Sequence, residues 1–282
     1  MSVALANAVV QKGCLDKMQV ALGAPAQYAL PLNEVRVPMN QYIGQRIRLQ
    51  HTGVIRCTHC NRVTKKSFNQ GYCFPCFKAL AQCDSCIVSP EKCHLHLGTC
   101  REPDWAESHC QTDHIVYLAN SSGVKVGITR ASQMPTRWLD QGATQALPIA
   151  RVATRRLSGL FEVLCKTFVA DKTDWRALLR SDAQAVDLMA VREQLLCNVG
   201  ECIAALQNEF GINVIQTLPD AAEQRFVYPI NRYAEKVSTH NFDKAPVVEG
   251  ELLGIKGQYL MLDTGALNVR KFTAYEVEFS VI

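Results

Sequence analysis

Thirteen cysteines punctuate this chain of 282 residues, and four of them fall in a pattern with chemical meaning. Cys57-x2-Cys60-x12-Cys73-x2-Cys76 offers two thiolates on each of two tight bends, and two such bends can close a tetrahedron of sulfur around Zn2+. Gly71, beside the second bend, fits the sharp turn that such a site needs. Four thiolates fill the coordination sphere, so the expected metal is structural and does no chemistry. A redox Cys-x-x-Cys is the alternative, but nothing around it reads as thioredoxin-like.

A second set follows: Cys83, Cys86, Cys93, Cys100 and Cys110, with His94, His96, His109 and His114 interspersed. These donors outnumber the four positions of a zinc site. The expected ligands are the Cys83-x2-Cys86 bend plus two of Cys93, His96, Cys100 and Cys110, holding a second Zn2+. An iron–sulfur cluster is the rival occupant, and a loop of unliganded thiols is the third option. His114 reads as a strand-edge residue, not a ligand. Cys14 stands alone, and Cys165, Cys197 and Cys202 read as core thiols.

The element that must position any further chemistry runs from His114 to Arg137. Ile115–Ala119 and Val124–Ile128 are short apolar, β-branched runs, separated by the turn chemistry of Asn120, Ser121, Ser122 and Gly123. A hairpin is expected, with Ile115, Tyr117 and Ala119 on one face and Val116 and Leu118 on the other. A helix should then begin near the cap Ser132, carry Pro135 in its first turn, and stop at Gly142. A third strand is expected over Ala150–Arg156. The following helix, Leu157–Ala170, presents Leu157, Leu160, Phe161, Leu164 and Phe168 to the core, with Glu162 off that stripe.

These residues resemble the core of the GIY-YIG nuclease superfamily. Val116-Tyr117-Leu118 matches its first signature triplet, and Lys125-Val126-Gly127 covers the second, with Lys125 in place of a signature tyrosine. Arg137 falls where that superfamily carries an arginine, and Glu162 where it carries a metal-binding glutamate. The cysteine clusters are similar to those of the domain of unknown function 2797 family. So are Val-Lys-Val-Gly-Ile-Thr-Arg, Pro-Thr-Arg-Trp-Leu-Asp-Gln-Gly-Ala and Asp-Lys-Thr-Asp-Trp-Arg, and the likeness covers roughly residues 50 to 180.

The nuclease resemblance implies a phosphodiesterase centre. Glu162 would hold Mg2+, Tyr117 would position or deprotonate water, Arg137 would contact the scissile phosphate, and Lys125 would supply charge or assist proton transfer. Arg130, Trp138, Lys65 and Lys66 are the expected nucleic-acid contacts, by charge or by stacking on a base. Losing one tyrosine can leave such a fold as a binding platform. Three functions therefore follow from the residues: an Mg2+-dependent endonuclease with zinc modules, a non-catalytic DNA- or RNA-binding zinc protein, and an iron–sulfur redox or sensor protein.

Charge supports a phosphate-bearing partner. Residues 45–80 carry seven basic and no acidic side chains, and residues 114–180 ten against four, whereas 181–282 carry eight against fourteen. A solvated basic surface is the plain alternative. No apolar run approaches the roughly 18–20 residues needed to cross a bilayer. The start lacks a basic leader, so a cytoplasmic protein is expected, in which cysteines bind metal before they pair as disulfides.

The fold class expected is α+β. A GIY-YIG-like small mixed sheet with helices over 114–180 is preceded by a zinc-binding module over 57–113. β-rich segments flank it at 1–56 and 213–282, and a helical segment runs from 181 to 212. Residues 1–30 add little beyond an amphipathic start. The alternation in Gln45-Arg46-Ile47-Arg48-Leu49-Gln50 marks a strand, and the acidic C-terminal β segment is expected to pair with residues 28–55. Thr173 is expected to cap a short helix holding Trp175 and Arg176. Asp182–Phe210 should be a long helical stretch, broken or bent near Gly200, packing through Val186, Met189, Leu195, Leu196, Ile203 and Leu206.

Overall fold

The computed structural model describes residues 10–169, 174–234 and 237–282. It is a mixed α+β protein of two compact units, one formed by the chain through Cys76 together with 227–282, the other by 77–226. The expected amphipathic start, the Thr173 cap and the helix end at Ala170 lie outside the described residues. No helix among the described residues is long and apolar enough to cross a membrane.

The first unit contains β1 (Gln11–Cys14), β2 (Gln19–Ala21), β3 (Gln27–Leu32), β4 (Val35–Pro38) and β5 (Arg46–Ile55). Strand β5 forms where the sequence alternates, and its pleat puts Ile47 and Leu49 into the core with no exposure while Arg46 faces solvent. Its two neighbours come from the far end of the chain, β11 (Val247–Lys256) and β14 (Tyr275–Val281), both antiparallel. With β1, β12 (Tyr259–Leu262) and β13 (Gly265–Asn268) they make a six-stranded sheet in the order β1-β14-β5-β11-β12-β13. Residues 46–55 are thus held on both edges by partners about 200 positions away in sequence, and the cysteine bends grow directly from the end of this anchored strand.

In the second unit, α1 (Phe74–Ala79) leads in across the boundary, and α2 (Pro103–His109) closes the cysteine-rich loops. The sheet then starts with the hairpin β6 (His114–Asn120) and β7 (Val124–Arg130). A short helix, α3 (Thr136–Asp140), precedes β8 (Gln145–Val152), and α4 (Arg155–Cys165) follows it. After α5 (Trp175–Leu178) and the long α6 (Leu188–Phe210) come the short β9 (Ile215–Thr217) and β10 (Gln224–Arg225). Strand β6 is central, flanked by β7 and β8, and β9 and β10 both pair with β8; every pairing is antiparallel.

Val116, Leu118 and Val126 pack with Leu147 and Ile149 of β8, Leu157 and Phe161 of α4, and Leu195 and Val199 of α6 in one buried cluster. Burying a side chain of this size is worth about 1.5–3 kcal/mol, so this layer is what fixes α4 against the sheet. Tyr117, on the alternate pleat, packs edge-on against Trp138 of α3 at 5.8 Å. The helix carrying Arg137 is thereby held over the other side of β6 and β7.

Several expectations are corrected. His114 is no edge residue: it begins the central strand and has no exposure. Helix α3 is not capped by Ser132, which lies in the 3-10 turn Ala131–Gln133; it starts after Pro135 and ends before Gly142, whose φ of 68° reverses the chain. The third strand begins five residues early, at Gln145. Helix α4 starts earlier too, because the Thr154 hydroxyl accepts from Leu157 N–H at 3.3 Å, and it ends at Cys165, which leaves Phe168 exposed.

Helix α6 runs unbroken through Gly200. Its buried face is Leu188, Arg192, Leu195, Val199 and Ile203; of the expected stripe, Leu195 and Ile203 are buried and Leu196 and Leu206 pack against the same core, while Met189 is exposed. Arg192 is admitted to that face because its guanidinium donates to the carbonyls of Leu218 and Ala221, at 3.1 and 3.2 Å. Cys165 is a core thiol, but Cys197 and Cys202 are exposed on α6.

Candidate functional site

Three groups of side chains in the described residues carry chemistry, and the first is the early cysteine quartet. Strand β5 delivers Cys57 at its end, Gly71 turns the second bend with φ of 134°, and Cys76 sits in α1. The sulfurs of Cys57, Cys60, Cys73 and Cys76 all lie within 4.8 Å of one another, with Cys60 and Cys73 at 3.7 Å. A tetrahedron built on Zn–S bonds of ~2.3 Å has edges of about 3.8 Å, so the four are close enough to hold a metal ion and are compatible with Zn2+.

Electrostatics prepare the quartet. Burial works to raise the Cys57 thiol, but backbone N–H groups of Cys60, Cys73 and His59 outweigh it and bring the thiol down to about 6. The thiolate, which is the ligand form, is therefore favoured at neutral pH. Cys76 is pushed up, by burial and then by the side chains of Cys73, Cys60 and Cys57. A bound metal would supply that cation, hold all four thiolates in a closed sphere, and staple the loop between Cys60 and Cys73. Lys65 and Lys66 stand exposed on that loop, with the Lys66 ammonium 5.4 Å from the Phe68 ring.

The second cysteine group is arranged differently from the expectation. Cys86, Cys93, Cys100 and Cys110 line one small cavity together with Asp84 and His94. Neither Cys83 nor His96 lines it: Cys83 is buried outside the wall and His96 points to solvent. Two residues that the spacing argument passed over, Asp84 and His94, form with Cys86 a trio whose donor atoms lie within 4.8 Å. Asp84 is already committed, however. It pairs with Arg101 at 2.9 Å and with His94 at 3.4 Å, and it accepts from Ser85 N–H at 2.6 Å. Burial opposes its charge, but the Ser85 N–H and the Arg101 and His94 charges prevail and hold the carboxyl below its usual range.

The third group draws on four elements: Tyr117 from β6, Lys125 from β7, Arg137 from α3 and Glu162 from α4. Tyr117 has no exposure; its hydroxyl donates to Gln141 Oε1 at 3.1 Å. Burial raises this phenol above its ordinary value, with Arg137 and Gln141 opposing and Glu162 reinforcing. Lys125 is 6 % exposed and is brought down to about 8, by burial and then by Arg137, against the pull of Glu162. Arg137 and Glu162 are thus close enough to Tyr117 and Lys125 to act on both. Glu162 also pairs with Lys166, one turn along α4, at 3.5 Å.

This donor set does not fit a resident Mg2+. A hard cation needs several oxygens, and Glu162 offers one carboxylate that already answers Lys166 and Lys125. The expected stacking role of Trp138 is also overturned. Its indole has no exposure, lies between Tyr117 and Phe226, and buries Nε1 with no hydrogen-bond partner among the described residues. It is the core residue that holds α3 in place. Arg130 ends β7, partly exposed.

A family model described as "Protein of unknown function (DUF2797)" matches residues 44–277. The chain belongs to this family. The match reaches well past the stretch near residues 50–180 that carries the likeness in sequence, and takes in β11 to β13 and part of β14. No curated protein and no solved structure matches the chain. Membership in DUF2797 thus covers both compact units and both cysteine groups, and it brings no assigned activity with it.

Proposed function

We propose that this DUF2797 protein binds nucleic acid through a zinc-stapled basic segment and a GIY-YIG-like core that takes a phosphodiester at Arg137 and Lys125. The observation that carries the reading is the convergence of Tyr117, Lys125, Arg137 and Glu162 from four separate elements onto one electrostatic neighbourhood. Packing alone does not call for this. Two cations drawn together in a partly buried place repel one another and weaken the fold, which is the usual mark of a site kept for an anionic ligand. A phosphate between them would relieve that repulsion.

In this reading Arg137 offers its planar fork of donors to two phosphate oxygens, and Lys125 adds a point charge. Glu162 restrains both cations when the site is empty. The neutral Tyr117 phenol fixes the wall through Gln141 and Arg137. The basic excess of residues 45–80 and 114–180 supplies contacts that do not depend on sequence.

Phosphodiester cleavage is the second reading, and one observation favours it. Lys125 stands where the superfamily has a tyrosine, and a group titrating near 8 exchanges protons close to neutral pH. Binding of labelled single- and double-stranded DNA and RNA across a salt series tests the first reading. Arg137→Ala should weaken binding about 10- to 100-fold, the loss expected for charge-assisted hydrogen bonds of roughly 1.5–3 kcal/mol. Unchanged affinity in Arg137→Ala and Lys125→Met would end it. Incubating the same substrates with and without Mg2+, wild type against Glu162→Ala, decides cleavage.

A further inference from the structure

Between Ala81 and Cys110 the chain has almost no hydrophobic core of its own. Short 3-10 turns and the seven-residue α2 make up the segment, and Val88 and Leu97 stand exposed on it. The apolar side chains it buries are small, Ala81, Pro90 and Ala106, and the rest of its interior is thiol: Cys83, Cys86, Cys93 and Cys110. None of these cysteines is in a disulfide. A segment that buries so little apolar surface needs another staple, and a metal held by thiolates supplies one.

The cavity lined by Cys86, Cys93, Cys100 and Cys110 admits about one water-sized sphere, which is room for a single ion. Asp84 and His94 share its wall, and their donor atoms lie within 4.8 Å of each other and of the Cys86 sulfur. Both are already engaged. Asp84 meets Arg101 at 2.9 Å and accepts from Ser85 N–H at 2.6 Å; His94 turns Nε2 to Asp84 at 3.4 Å and Nδ1 to the Thr99 hydroxyl at 2.8 Å. The four sulfurs are the donors that remain, and four thiolates select Zn2+ over harder cations. As a set they stand wider than the first quartet, whose sulfurs all lie within 4.8 Å of one another, so an ion must draw them inward. Cys86 lies in the 3-10 turn Ser85–Ile87, Cys93 and Cys100 in the loops that follow, and Cys110 at the end of α2, where rotation about each Cα–Cβ bond can do this.

Four thiolates around Zn2+ leave net negative charge, and cations are in place to meet it. Arg155 lies close enough to act on Cys110 and Cys86, Arg130 acts on Cys110, and Arg155 Nη2 donates to the Ile87 carbonyl at 2.6 Å. We propose that Cys86, Cys93, Cys100 and Cys110 close on a single Zn2+, with Arg155 and Arg130 as its counter-charges and Cys83, Asp84, His94 and His96 outside the ligand set. The same loops seat α4. Arg155 N–H donates to the Cys110 carbonyl at 2.8 Å, and an added Cβ on Gly159 would lie 2.5 Å from Glu91 N. The ion would thus anchor the helix that carries Glu162. This assignment does not depend on the nucleic-acid reading.

Full-length protein, refolded with zinc under reducing conditions and freed of loosely held metal, tests the proposal by zinc analysis. The expected result is about two zinc per chain, one of them from the first quartet. Cys93→Ser and Cys100→Ser should each fall to about one, while Cys83→Ser and His94→Gln keep two. Cobalt(II) in place of zinc should give the visible absorption of two tetrahedral four-sulfur sites, and Cys100→Ser should lose half of it. If a ligand variant fails to fold, the wild-type zinc content and the cobalt spectrum decide alone. A single zinc in wild type that Cys73→Ser removes would overturn the assignment. So would a second zinc that survives Cys93→Ser and Cys100→Ser, or one that Cys83→Ser or His94→Gln loses.

Discussion

Gly127 and Tyr117 face each other across β6 and β7, so closely that a Cβ on the glycine would lie 2.8 Å from both the phenol oxygen and its ring carbon. The tyrosine ring lies flat over the partner strand only because that position carries no side chain. Gly127→Ala should therefore lift the ring and disturb the contact with Trp138, costing about 1–3 kcal/mol as overpacked cores do. Chemical denaturation of the variant checks this; an unchanged midpoint would show that the ring has room to move.

Lys125 gives a signature in pH. Its folded value of about 8 lies below the unfolded value of 10.5, so between these the unfolded chain holds the extra proton and wild type gains stability as pH rises. Below pH 8 the buried charge costs the fold about 3 kcal/mol. Lys125→Met should thus be the more stable protein at pH 7, with its advantage shrinking to nothing from pH 8 to 10.5. Parallel denaturation curves across that range measure it, and a difference independent of pH would mean that the ammonium is solvated.

His114 should act at the acidic end. Burial holds its imidazole down to about 4 against an ordinary 6.5. Nδ1 contacts the Thr112 carbonyl at 2.7 Å and so carries the proton, which leaves Nε2 buried with no partner among the described residues. The unfolded chain takes up this proton first, so wild type should lose roughly 3 kcal/mol as pH falls from 6.5 to 4. In His114→Asn that part of the acid loss should vanish. Equal acid slopes for the two proteins would refute the buried neutral imidazole.

Disrupting the first cysteine quartet should be a local catastrophe if it holds zinc. Cys73→Ser is expected to lose about one zinc per chain and to open the segment from Cys57 to Cys76 to protease, since metal binding in such bends is itself the folding energy. Zinc analysis with limited proteolysis reads both effects. Retention of zinc in the variant would exclude this quartet as its site.

Gly159→Ala tests how α4 is seated. The Cβ has backbone of Glu91 and the Pro90 ring in its way, neither of which can swing aside. The helix must shift, and a loss of about 2 kcal/mol or more is expected. Chemical denaturation of the variant against wild type measures the loss, and an unchanged midpoint would show that the helix has room to move.

Much of this was legible in the chain because it is local. The Cys-x2-Cys spacing places two thiols on one bend whatever surrounds it, and alternation around Ile47 and Leu49 names the buried pleat of β5. Element ends were less readable. Thr154 caps α4 three residues before the apolar stripe begins, and Gly200, the expected bend, sits in open space within an unbroken helix.

By itself, the sequence determined the hairpin, the first cysteine quartet and the residue types of the basic cluster, since each depends on neighbours within a few turns or on a fixed period. Only the tertiary structure decided which of five late cysteines share a cavity, that Trp138 is a core residue instead of a stacking surface, and that Lys125 meets Arg137 and Glu162. Those outcomes depend on how β6, α3, α4 and the cysteine loops pack. Packing is set by contacts between residues far apart in the chain, for which one-dimensional spacing has no measure.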